Sequence, residues 1–207
     1  MTTEATATAR RNTRLTPERE MELYTAVVEL LREVGYEALT MDAVATRTRS
    51  SKATLYRQWK GKPELVATAL RACKPVRAEE VDTGSIATDL YEMARGVPEQ
   101  EDQDAAAVMR ALAHAATHNP DLGNALREAL IEPEMAALRR MLDRAVERGE
   151  IPPGRPAIDY MIFMMTGAFF GRPLIEDQAV DPEFLKRYID AVVLPALGVT
   201  VPPQVSR

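Results

Sequence analysis

The tightest constraint on this chain is the punctuation between Thr40 and Lys62. Thr40 precedes Met41, Val44, Ala45 and Thr48, positions that share one face of a short helix. A threonine in that place caps the helix by accepting from an early backbone N–H. Arg49-Ser50-Ser51 leaves room only for a turn, and Ser51 can cap a third helix running from Lys52 to Trp59. Leu55 and Trp59 lie four apart and share its inner face, so Lys52, Ala53, Tyr56 and Arg57 fall elsewhere on the cylinder. Gly61 breaks that helix, and Pro63-Glu64 opens a fourth carrying Leu65, Val66, Ala69 and Leu70. Two short helices joined by three residues, the second with a polar and small outer face, form a helix-turn-helix pattern.

The surrounding chain reads as helix throughout. Thr16-Pro17-Glu18 is a helix start, and Leu23, Val27, Leu30, Leu31 and Val34 follow at helical spacing until Gly35 stops the run. Further helices are expected near 85–97, 102–118, 120–131, 133–148, 155–172 and 182–197, bounded by glycine and proline. No alternating strand pattern with turn chemistry occurs. The fold class is therefore all-α: an N-terminal three-helix DNA-binding domain with a helix-turn-helix, then a C-terminal helical domain. The expected segments are a flexible basic arm at 1–15, the helix-turn-helix domain at 16–62, a second helical domain at 63–200, and a frayed tail at 201–207.

Charge points to the partner. The whole chain carries −5, which argues against nucleic acid. Between Thr40 and Lys62, however, six cations (Arg47, Arg49, Lys52, Arg57, Lys60 and Lys62) face one acid, Asp42, and the chain beyond is acidic. A compact basic patch on an acidic body is a footprint of DNA binding, although a solvated basic face would read the same way. The small residues around Ser51 and Ala53 suit entry of a helix into the major groove, and cations and hydroxyls around them suit phosphates. Lys52, Thr54, Tyr56, Lys60 and Lys62 supply that rim, and Thr40 opens a helix at it. Arg10, Arg11 and Arg14 form an arm that either dips into a minor groove or is merely solvated.

The run Gly35-Tyr36-Glu37-Ala38-Leu39-Thr40-Met41-Asp42-Ala43-Val44-Ala45, with Ser51-Lys52-Ala53-Thr54-Leu55-Tyr56-Arg57-Gln58-Trp59 and Lys62-Pro63-Glu64-Leu65, closely resembles the N-terminal domain of the TetR family. The resemblance covers residues 18–70 in order and without gaps; Leu174 and the segment from Pro182 to Leu197 resemble a common actinobacterial-type subfamily. It implies phosphate contacts for Thr40, Lys52, Thr54, Tyr56 and Lys62, base contacts for Lys52, Ala53 and Arg57, and core roles for Leu55 and Trp59. It also implies a homodimer on a palindromic operator in double-stranded DNA, released by a small-molecule effector. One position departs: Arg49-Ser50 stands where the family has glycine and a small apolar residue. Glycine there serves a left-handed backbone, so Arg49 is expected to be strained by about 1 kcal/mol and to add a phosphate contact.

The segment from Tyr160 to Phe170 is apolar on every side, which predicts a helix buried all round; the resemblance implies that 63–200 is a ligand-binding and dimerisation domain, with this helix shared between a dimer interface and a cavity wall. Tyr160, Phe163, Met164 and Phe169 are the candidate effector residues there, with Met93, Met109, His114 and Met135 from other helices. A Met and Phe cluster is also what an ordinary core looks like. His114 and His118 lack a third ligand at metal spacing, so no metal is expected, and no cofactor-binding or catalytic motif occurs. The single cysteine, Cys73, reads as a small apolar helix residue in a reducing compartment. With no signal peptide and no apolar run long enough to span a bilayer, the expected location is the cytoplasm, without membrane contact. The rival reading is an all-helical interaction or enzymatic domain with a vestigial motif, for which DNA binding would be weak and insensitive to salt.

Overall fold

The computed structural model describes residues 15–97 and 103–200. The arginine arm and the tail of the sequence reading lie outside them.

Side-chain caps set most of the helix starts. Helix α1 (Pro17–Ala38) is capped by Thr16, α2 (Met41–Arg47) by Thr40 and α3 (Lys52–Gln58) by Ser51. Helix α4 (Lys62–Ala72) starts without a side-chain cap. Ser85 caps α5 (Ile86–Arg95), and α6 (Gln103–His118) follows. Asn119 caps α7 (Pro120–Leu126), and α8 (Glu132–Glu147) and α9 (Ala157–Glu176) come next. Asp181 caps α10 (Pro182–Tyr188), which leads to a last turn, α11 (Leu194–Leu197). Each cap satisfies a first-turn N–H that the helix itself cannot. At Gly35 the backbone turns to φ 75°, which breaks α1 at the expected place, but a final turn resumes and buries Tyr36.

The two joints inside the last helices share a cause. A wide turn, Arg127–Ile131, connects α7 to α8, and another, Ile189–Val193, connects α10 to α11. In each, the residue before a proline donates five residues back: Glu132 to Arg127 and Leu194 to Ile189. Pro133 and Pro195 have no N–H and would crowd the carbonyl four residues earlier, and a wide turn gives that carbonyl room. The carbonyl Pro133 leaves unpaired, that of Ala129, accepts from Arg71 Nη1 of α4 at 3.4 Å. Pro173 behaves otherwise. It was expected to end α9, yet the helix continues to Glu176 and stops with Asp177 in the left-handed region.

Two hydrophobic cores result, and they do not divide at the start of α4. The first joins α1–α4 to α6 and α7: Leu23, Val27, Leu31, Val44, Leu55, Leu65 and Val66 pack with Leu112, Leu122 and Leu126. The second gathers α5, α8, α9 and α10–α11 around Ile86, Leu90, Met141, Leu142, Ile151, Ile189 and Leu194. The helix-turn-helix thus stands on a foundation that includes two helices from the C-terminal part of the sequence. None of the described helices is long and apolar enough to cross a membrane.

Candidate nucleic-acid interface and effector region

The α2–α3 unit is built from local hydrogen bonds. Thr40 Oγ1 accepts from the Ala43 N–H at 3.1 Å, and Ser51 Oγ accepts from the Thr54 N–H at 3.1 Å. At the end of α2, the Ser50 N–H reaches the Ala45 carbonyl at 2.9 Å and the Arg49 N–H reaches Thr46 at 3.3 Å. That pair of bonds is a Schellman closure, whose pivot residue must adopt a left-handed backbone. The pivot is Arg49, with φ 51°. The strain expected at this departure from glycine is therefore present. The buried Thr48 hydroxyl donates to Val44 at 2.8 Å, and the Thr48 carbonyl accepts from Arg19 of α1. Arg19 was not anticipated, because its partner lies 29 residues away and only the fold brings them together.

Helix α3 has two distinct sides. Leu55 is fully buried and Trp59 is 5% exposed, its ring edge-on to Tyr24 with centroids 5.8 Å apart. Lys52, Ala53, Tyr56 and Arg57 are exposed, Tyr56 by 54%, with Ser51 beside them and Thr54 half-buried. The side chains at Tyr56 and Ala53 contribute little to the core.

The cations of the patch are less available than their number suggests. Arg47 forms a two-pronged pair with Glu33 of α1, at 3.1 and 2.6 Å, which lowers the Glu33 pKa and raises that of Arg47. Lys52 pairs with Asp42 at the start of α2. Lys62 is half-buried. Its Nζ donates to the carbonyls of Tyr36 at 2.9 Å and Glu37 at 3.5 Å, closing the end of α1, and sits 4.1 Å from the Tyr36 ring centroid. Burial, with the charges of Glu37 and Asp121, pushes the Tyr36 phenol up to about 12. Lys62 therefore also holds α4 to α1. Lys60 and Arg49 are exposed, and among the described residues neither side chain has a hydrogen bond or ion pair.

The eight candidate effector residues do not converge on one site. Met109 packs against the first core, whereas Met93, Met164 and Phe169 pack against the second. His114 lies on the surface with its ring centroid 5.1 Å from that of His118. Met135 is 44% exposed. Tyr160 and Phe163 are 62% and 69% exposed in the single chain. The reason is one of register. Tyr160, Phe163, Gly167, Phe170 and Leu174 recur at alternating steps of three and four, a single stripe along α9, while Met161 on the other side is buried. Ile175, 81% exposed, and Leu174, 86% exposed, extend that stripe at the helix end. Polar groups near the second core are supplied by Tyr91, which donates to Asp190, and Tyr188, whose hydroxyl donates to the Met164 carbonyl at 3.2 Å. No group of three metal-ligating side chains occurs among the described residues. Cys73 ends α4 half-buried, its thiol pKa pushed up by burial.

Comparison with known proteins agrees with this division of labour. Residues 23–69 match the family model described as bacterial regulatory proteins, tetR family. Residues 80–192 match the tetracyclin repressor-like C-terminal domain. An uncharacterized HTH-type transcriptional regulator of Mycobacterium tuberculosis is 32% identical over 179 residues, covering 86% of this chain and 88% of the relative. A DNA-binding transcriptional repressor TetR of Mycobacteroides abscessus is 30% identical over 177 residues, covering 85% and 92%. The crystal structure of a TetR family transcription regulator superposes with a TM-score of 0.67 at 27% identity, over 89% of this chain and all of that one. With both halves matched in order, this chain belongs to the TetR family of DNA-binding transcriptional regulators.

Proposed function

We propose that the chain is a repressor that binds a palindromic operator as a homodimer and leaves it when a small apolar or amphipathic effector binds. The observation that carries the reading is the two-sidedness of α3. Leu55 and Trp59 anchor it, so Lys52, Ala53, Tyr56 and Arg57 can meet base edges and backbone without cost to the core. Thr40, Ser51, Thr54 and Lys60 border that face, and Lys62 keeps one ammonium donor beyond its two carbonyl bonds. Lys52 would exchange Asp42 for a phosphate on binding.

The stripe from Tyr160 to Leu174 is the dimer contact in this reading, paired with its own copy and with the exposed Ala191, Val192 and Pro195 beside the last wide turn. Its 3-4 spacing is that of helices packed side by side. Two reading helices would then address successive major grooves, about 34–36 Å apart. The effector lodges against the second core, where Met93, Met164 and Phe169 are pliable and Tyr91 and Tyr188 offer hydroxyls. Coupling between the two sites is expected at about 1–3 kcal/mol.

The test is retention of a fluorescent promoter fragment taken from beside the protein's own gene. Tyr56→Ala should lose specific retention while melting like the parent, because that ring is half in solvent. Wild-type retention by this variant and by Lys52→Ala together would refute the assigned face.

A further inference from the structure

We propose that Arg49 is a phosphate-binding residue of the reading unit, kept in a strained backbone conformation because its charge is spent on DNA. The inference rests on the DNA-reading role proposed above.

Arg49 is the pivot of the Schellman closure after α2, with φ 51° and its N–H bound to Thr46 at 3.3 Å. Glycine adopts that conformation freely, whereas an L side chain there is penalised. Among the described residues nothing offsets the penalty. The guanidinium is exposed, and among the described residues it has neither a hydrogen-bond partner nor an acidic one. Three other cations of the patch are engaged elsewhere: Arg47 with Glu33, Lys52 with Asp42, and Lys62 with the end of α1. Arg49 therefore contributes a whole cation two residues ahead of Ser51, the cap of the reading helix. A planar guanidinium with its donors unused matches a phosphate's paired oxygens. A cation placed merely to complement the negative end of α2 would be redundant, since Arg47 already occupies the last turn.

The experiment measures binding of the full chain to a mixed-sequence DNA duplex of about 30 base pairs, three helical turns, across a salt series. Arg49→Gly should fold normally and melt no lower than the parent, since glycine relieves the pivot. Its affinity should fall roughly three- to tenfold, and the slope of log affinity against log salt should shrink by about one for each protomer's lost contact. Arg49→Lys should keep most of the slope while retaining the strained backbone. Parental affinity and slope in Arg49→Gly would overturn the proposal. So would weaker binding with an unchanged slope, which would make Arg49 a residue that shapes the turn. A parent chain without salt-dependent binding would instead refute the DNA-reading role itself.

Discussion

Removing the guanidinium of Arg172 should cost about as much as any single polar change in this protein. Its side chain is 7% exposed near the end of α9. Nη1 donates to Asp181 Oδ2 at 2.9 Å, Nη2 donates to Gln178 Oε1 at 2.8 Å, and the group lies 4.1 Å from the Phe184 ring centroid. A buried hydrogen bond to a charged partner contributes about 2 kcal/mol. The cation–ring contact at half-buried Phe184 adds about 1 kcal/mol. The pair with Glu176, at 3.4 Å and 53% exposed on the acid, adds little. Arg172→Met, which keeps the stem, should therefore destabilise by about 3 kcal/mol and lower Tm by roughly 6–12 °C in a chain of this size. Thermal unfolding at fixed protein concentration measures it, because a dimer's Tm depends on concentration. A double-mutant cycle with Asp181→Asn should return a coupling of about 2 kcal/mol. A loss below about 1 kcal/mol, or strict additivity with Asp181→Asn, would refute the account.

Three further outcomes follow from the geometry. Phe163 leaves 69% of its surface bare, so the residue offers roughly 140 Å² to a partner and about 3.5 kcal/mol per copy at 25 cal/mol per Å². Phe163→Asp should yield monomers in sedimentation equilibrium at micromolar concentration, and a persisting parental dimer would exclude this stripe as the contact. A Cβ on Gly96 would stand 2.6 Å from the Val76 Cβ, so Gly96→Ala should destabilise by about 1–3 kcal/mol in urea unfolding, and a neutral result would show that the chain before α5 gives way. Asp181 titrates low in the folded protein: burial raises its pKa, but the Phe184 N–H and Arg172 outweigh that. A depressed folded pKa gives stability that is complete above the ordinary aspartate value of about 3.9 and is lost as pH falls through the folded value. Asp181→Asn should flatten the decline in Tm below about pH 4, and an unchanged acid limb would contradict it.

Local chemistry made most of the fold legible in the sequence. Thr16, Thr40, Ser51, Asn119 and Asp181 cap helices because each precedes a periodic apolar run, and capping needs only the next three residues. The left-handed pivot at Arg49 was legible only through the family resemblance, which has glycine at that position. What escaped depends on contacts across the chain. The engagement of Lys62 with Tyr36 and Glu37, and of Arg47 with Glu33, requires α1 to lie beside α2 and α4. The Met and Phe candidates scattered because composition marks a residue as apolar without saying which core it joins. In α9, overall hydrophobicity masked the 3-4 stripe, which separates the bare Tyr160 and Phe163 from buried Met161. The helix outlived Pro173 where its last turn carries the Arg172–Glu176 pair.

The wide turn at Arg127–Ile131 changes the bearing of everything after it. Leu126 and Leu138 are twelve residues apart, three regular turns and a third, so an uninterrupted helix would aim them about 120° apart. The extra residue in the wide turn winds the second half back by about 100°. One rod presents Leu122 and Leu126 to the first core and Leu138, Met141, Leu142 and Ala145 to the second. Pro133 thus sets the angle between the two apolar seams. Deleting Ala129 would restore the regular winding, and one of the two seams would have to face away from its core.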